Sequence, residues 1–151
     1  MGVTVIDKDL GFKRIVREVK RTSKSYTEVG FQGDKKEASG KARIVDVAVF
    51  NEFGTENIPS RSFMRTAFDR VQSQLDRLIT NLYRRLLLGE IGTAKSLKII
   101  GEYMKSEVQK QIDMTLEPSN SPSTIKQKGS SHPLIDTGQM KQSITHTETI
   151  R

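Results

Sequence analysis

The chain has 151 residues, enough for one domain with a modest core. Hydrophobic residues make up 34% and charged residues 28%, and the net charge of +7 permits contact with nucleic acid or an acidic protein surface without fixing either. Cysteine is absent, which excludes disulfides, thiolate catalysis and cysteine-ligated zinc, and is compatible with a reducing compartment.

The first residues, MGVTVIDKDLGFKR, lack the apolar core of a secretory signal, and Ile6 stands where a myristoylation signal would want Ser or Thr. The longest run of large aliphatics, Leu86 to Leu88, is cut off by Arg84, Arg85 and Gly89, too short to cross a bilayer. The chain is therefore expected to be soluble, without a membrane partner, and to work in the cytoplasm of the cell that makes it.

Val3, Val5 and Ile6 suggest a short strand or a loose arm. From about Asp9 to Thr22, Leu10, Ile15, Val16 and Val19 fall near one face of a helix, with Asp9 as its N-cap or first-turn acid. Lys13, Arg14, Arg17, Lys20 and Arg21 cover the other side. That face reads either as phosphate-facing or as a solvated helix surface. Ser25 to Phe31 alternates like a strand and closes at Gly33 and Asp34. Residues 34–41 are polar and glycine-containing, and are expected to form a mobile loop.

Ile44 to Phe53 fits a strand by β-branching and a helix by periodicity; a stop at Gly54 favours a short helix. Asn57, Pro59 and Ser60 break the chain, and Ser60 or Ser62 can cap the next helix. Phe63 to Leu88 carries the clearest helical stripe: Met64, Ala67, Phe68, Val71, Leu75, Leu78, Ile79, Leu82 and Leu86. At 1.5 Å per residue this helix is roughly 39 Å long, so one end is expected to project. Asp69 is placed to reach Arg65 on its polar side. Gly89 and Gly92 turn the chain, and Thr93 can cap a second helix to about Leu116 with its stripe at Leu97, Ile100, Met104, Val108 and Ile112. The short connection predicts an antiparallel helical hairpin.

Residues 117–133 are rich in Ser, Pro and Gly, and are expected to be mobile and to pack on a neighbouring subunit. Within them Ser121, Pro122 and Gly129 mark one short helix. Asp136 and Gln139 resemble a capping box for a one- or two-turn helix. Ser143 to Ile150 then alternates as a strand, and can pair with Tyr26–Phe31. The fold class is α+β: a long antiparallel helical hairpin with shorter helices and a small antiparallel sheet, in a single domain over residues 1–151.

The candidate chemistry is thin. Asp136-Thr137-Gly138 behind Leu134-Ile135 has the form of an aspartic-protease motif, whose two aspartates share a proton. One copy per chain would require a dimer, Gln139 replaces the usual small residue, and too little chain remains beyond it to build the β-sheet. Capping of a short helix accounts for it better. His132 and His146 read as exposed histidines without metal-ligand spacing. No phosphate-binding or nucleophile motif is present. Neither an enzyme nor a cofactor is expected. The stretch from Asn51 to Asp69 reads as a joint and a contact surface.

Two stretches carry a resemblance. Glu52-Phe53-Gly54-Thr55, with Ile58-Pro59-Ser60-Arg61-Ser62-Phe63-Met64-Arg65-Thr66-Ala67-Phe68 after it, resembles the "EFGT … iPaRPFmrpaf" signature of tailed-bacteriophage virion-morphogenesis proteins. Leu134-Ile135-Asp136-Thr137-Gly138-Gln139-Met140, with Ser143-Ile144, is similar to the "LxdTGxLrxSI" signature of the same group, which includes neck, tail-completion and head–tail joining proteins. The chain has Ser62 and Thr66 where proline is common, and carries its TG motif last.

The resemblance implies a small α+β subunit that forms a homo-oligomeric ring, often hexameric, between the portal–connector and the tail. DNA would pass through it without sequence-specific binding. Such a protein would reside in the virion neck or tail, and in the host cytoplasm during assembly. On this reading Phe53 and Phe63 pin the turn at Gly54 to the core, and Arg61 and Arg65 reach a neighbour or an acidic partner. Asp136, Thr137 and Gly138 join them as contact residues, and Arg61→Glu is expected to block assembly without unfolding the monomer. The alternative is a basic, non-sequence-specific DNA-binding protein.

Overall fold

A computed structural model describes residues 9–33, 36 and 42–151. The proposed strand or arm at Val3–Ile6 lies outside the described residues, as does most of the 34–41 loop. The element order is α1 (Phe12–Thr22), β1 (Tyr26–Phe31), α2 (Ile44–Phe53), α3 (Phe63–Leu88), α4 (Thr93–Met114), α5 (Pro122–Lys128), α6 (Gln139–Gln142) and β2 (Ile144–Thr149).

The long hairpin of α3 and α4 is the frame. Its apolar stripes meet in three buried groups. Phe63, Ala67, Val108 and Ile112 form one end with Ile44 and Ala48 of α2, Leu134, Met140 and Ile144. Val71, Leu75 and Met104 fill the middle, and Leu82, Leu86 and Ile91 close the turn. Each fully buried large side chain contributes about 1.5–3 kcal/mol, so this seam dominates the stability. The far end of α3 does not project bare. Its Leu82 and Leu86 are buried, and α1 lies against α3 with Arg14 donating to the carbonyls of Leu88 and Gly89. Phe68 and Ile79, expected in the buried stripe, stand on its flank and are exposed, as is Tyr83.

Polar groups fix the hairpin's register. Arg70 of α3 donates to the Glu107 carboxylate at 2.9 Å, to the Glu107 carbonyl and to Gln111 of α4. Lys110 holds the other Glu107 oxygen at 2.6 Å. The hydrogen bond from Lys110, reinforced by Arg70, keeps the Glu107 carboxyl below its ordinary pKa. At the opposite end Glu18 of α1 accepts from the Thr93 hydroxyl at 2.8 Å and the Thr93 N–H at 3.2 Å, and these bonds lower its pKa in the same sense. Thr93 was expected to cap α4; instead it is the first residue of α4, and a carboxylate from α1 does the capping.

A folded carboxyl with a depressed pKa stabilises the protein fully above its unfolded pKa, and that contribution is lost as pH falls through the folded value. Stability should therefore hold from neutral pH down to about 4.3, the ordinary glutamate value, and decline below it. In Glu18→Gln/Glu107→Gln the curve should start lower and flatten, as measured by melting temperature between pH 7 and pH 3. An unchanged acid limb would show that other groups govern it.

β1 and β2 pair antiparallel as expected, from Tyr26 opposite Thr149 to Phe31 opposite Ile144. The two strands pack on α4 at Gly101. A Cβ there would lie 2.6 Å from His146 Cδ2 and 2.8 Å from Thr27 Oγ1, so the close approach of helix and sheet requires glycine. His146 is accordingly half-buried rather than exposed, with Nε2 3.2 Å from Glu148 Oε1.

Candidate functional site

The two sequence signatures fold into one joint at the end of the hairpin where α2, the start of α3 and α6 meet. Glu52 lies in the last turn of α2 with its side chain buried. Its carboxylate accepts from the N–H groups of Met64 at 2.9 Å and Arg65 at 3.1 Å, and from the Ser62 hydroxyl at 3.1 Å. Met64 and Arg65 are the second and third residues of α3. Their N–H groups are the orphan donors that an N-cap side chain would normally satisfy. Neither Ser60 nor Ser62 caps α3 through its side chain, although one or the other was expected to; their hydroxyls donate to the Glu52 carbonyl and carboxylate. A carboxylate twelve residues upstream of Met64 thus sits at the positive end of α3.

Gly54 lets α2 stop. Its φ of +79° and ψ of 172° suit glycine, and its N–H still reaches the Phe50 carbonyl at 2.9 Å. The loop then folds back. The Thr55 hydroxyl accepts from the N–H groups of Asn57 and Ile58, while the Thr55 N–H donates to the Ile58 carbonyl at 2.8 Å. The Arg61 N–H donates to the Asn51 carbonyl.

Arg61 does not reach outward. It is 6% exposed, and Nε donates to the Pro118 carbonyl at 2.6 Å. Nη2 donates to the Ser119 carbonyl and Asn120 Oδ1, and Nη1 to Asn51 Oδ1. Burial pulls the guanidinium below its ordinary pKa, against the charge of Glu117. The expected contact residue is thus an internal clamp that ties the 117–120 segment to the end of α2. Arg61→Glu therefore cannot separate folding from assembly. Arg61→Lys should lower stability by about 1–2 kcal/mol, because an ammonium cannot reproduce the planar fork. Limited proteolysis should then cut faster between residues 117 and 133; unchanged cleavage would contradict the clamp.

Phe63 anchors the joint as expected. It is wholly buried, and its ring meets Phe31 edge-on at 6.3 Å. Phe53 does not pin the turn: it is 68% exposed, with the Arg65 guanidinium 5.8 Å from its ring centroid. Arg65 is exposed as expected, but its nearest acid is Glu52 at 3.8 Å rather than Asp69.

The second signature supplies the facing wall. Leu134, Met140 and Ile144 enter the same core as Phe63 and Ala67. Asp136 and Thr137 are exposed. The expected capping box from Asp136 to Gln139 is not formed: Gly138, at φ +76°, occupies the N-cap of α6, and the Thr137 hydroxyl accepts the Gln139 N–H at 3.4 Å. Between the walls lies a groove of about 720 Å³, lined by Asn57, Ile58, Pro59 and Arg61 on one side and by Leu134, Asp136 and Gly138 on the other. α5 borders it, capped by Ser121 on the Thr124 N–H with Pro122 in its first turn. Lys128 donates to the carbonyls of His132 and Pro133. The cations of the groove are thus engaged with backbone carbonyls, which makes them struts. Among the described residues no group of three or more His, Asp or Glu side chains is placed to hold a metal ion.

The outer face of α2 is the counterpart of this interior. Ile44, Ala48 and Glu52 point inward, leaving Val49 (46% exposed), Phe50 (44%) and Phe53 on the opposite side. Phe68 of α3, one turn past Arg65, is exposed as well. Comparison with known proteins finds no matching family model, no matching curated protein and no matching solved structure.

Proposed function

We propose that the chain is a structural subunit of a tailed-phage neck, at the head–tail junction or in tail completion. It assembles as a homo-oligomeric ring, most simply a hexamer, around the path of the DNA, with portal or connector proteins and tail proteins as neighbours. The observation that carries the reading is the exposed apolar face of α2. Val49, Phe50 and Phe53 stand together on a helix whose position is locked by Glu52, Gly54 and Arg61. A rigid helix that leaves two phenylalanines in water is suited to docking. The likeness of the two motif stretches to phage morphogenesis proteins supplies the biological setting.

Oligomers that close into rings use heterologous contacts, in which one patch meets a different patch on the next copy. The α2 face serves as one such patch. Phe50→Asp/Phe53→Asp changes exposed residues, so circular dichroism should stay that of the native protein. Sedimentation should show the assembly reduced to monomers. A double variant that assembles as well as the parent would overturn the assignment of this face.

A further inference from the structure

From the charge on α1, we propose that its outward face is a contact surface for the phosphate backbone of double-stranded DNA. Lys13, Arg17 and Lys20 fall about one helical turn apart on one side, spanning roughly 10 Å, with Arg21 beside them and Lys24 just past the helix end. All five are exposed. Many cations elsewhere are paired: Arg43 with Asp46, Arg70 and Lys110 with Glu107, Arg85 with Glu90, Lys98 with Glu102, and Lys141 with Asp113. Lys13, Lys20 and Lys24 have no ion-pair partner among the described residues. Among the described residues, Arg17 and Arg21 have no salt bridge; the acid they act on is Glu18, and that carboxylate is turned inward to cap α4 at Thr93. The one acid of the helix is thus withdrawn from the surface.

The chemistry of the stripe selects its partner. It offers cations alone, at helical spacing, so it matches a regular array of phosphates. Base-edge recognition beyond guanine, which arginine and lysine can contact themselves, would need amide or carboxylate side chains beside them. A single-strand site would need a series of aromatic platforms, and the stripe has only an exposed aromatic at each end among the described residues, Phe12 and Tyr26. DNA is thereby added as a direct partner of the proposed assembly, but through residues other than those of the α2 face, so either contact can fail alone.

The test compares Lys13→Gln/Arg17→Gln/Lys20→Gln/Lys24→Gln with Arg43→Gln/Lys98→Gln/Lys110→Gln/Lys126→Gln, which removes the same charge elsewhere. Arg14 is kept because it serves the Leu88–Gly89 carbonyls, and Arg21 because its charge acts on Glu18 more strongly than that of Arg17. Each protein is titrated with a duplex of random sequence over a salt series, and its native mass is recorded. With about 0.9 in logarithmic slope per phosphate contact, the stripe variant should lose about 3–4 units of slope. The second variant should keep the parent slope. An unchanged slope in the stripe variant, or equal loss in both, overturns the proposal. So does a parent protein that binds phosphatidylserine vesicles but not DNA, since Leu10 and Phe12 are exposed beside the stripe. Native mass unaltered in the stripe variant separates this outcome from the fate of the ring.

Discussion

Glu52→Ala should destabilise the protein by about 3 kcal/mol in urea unfolding. The carboxylate accepts two backbone N–H bonds and one hydroxyl bond in a buried position. Hydrogen bonds to a charged group contribute about 1.5–3 kcal/mol each, and loss of a helix cap alone costs up to about 2 kcal/mol. These terms overlap, so their sum is not the expected loss. Alanine leaves the N–H groups of Met64 and Arg65 unpaired beside the core and removes the negative charge from the start of α3. Glu52→Gln retains one acceptor oxygen and should recover about half of the loss. A change below about 1 kcal/mol for alanine would show that packing at Phe63, rather than the cap, sets the start of α3.

Gly54→Ala should cost about 3–4 kcal/mol. Two effects add there. An L residue at φ +79° and ψ 172° occupies backbone space that is nearly glycine-only, at about 1–3 kcal/mol. The new Cβ would also stand 2.9 Å from the Ser60 nitrogen and 3.0 Å from the Ile58 oxygen, both backbone atoms that cannot rotate away. Gly129 provides the comparison. It too has positive φ, at +70°, but in the ordinary left-handed region with no neighbour within 4 Å of a Cβ. Gly129→Ala should therefore cost about 1 kcal/mol. Equal losses at the two sites would mean that the backbone contacts of Gly54 add nothing to its conformational cost.

The long-range frame was legible because α3 and α4 bury stripes of helical period, and because Gly89 and Gly92 leave no room for anything but a hairpin turn. The ambiguous Ile44–Phe53 stretch is a helix since Ile44, Ala48 and Glu52 share its inward face and Gly54 ends it. The strand pairing could be read from β-branched alternation at both ends of the chain. What could not be read were partners distant in sequence. Glu18 caps α4 across 75 residues, and Glu52 caps α3 through a loop that first had to fold back. In both cases the sequence offered a local capping residue, Thr93 or Ser62, and the carboxylate took its place. The only hint was an acid lying on the apolar side of a short helix.

The site residues divide in the same way. The burial of Phe63 could be read from its position at the first turn of a buried stripe. Arg61 and Phe53 exchanged their expected places. An arginine can enter a core when carbonyls of an irregular segment need donors, and the 118–120 carbonyls and amide provide that need. A phenylalanine one residue before a glycine stop has no such claim on the interior once Glu52 turns inward. Composition conveys neither fact.

Native mass spectrometry of the purified protein, with negative-stain imaging of the same sample, tests the central claim most directly: the two motif stretches build a rigid joint that presents α2 to another copy of the chain. A closed ring of identical subunits, six in the simplest case, is the expected result. A homogeneous monomer over the whole accessible concentration range, with the α2 face open to water, would contradict it.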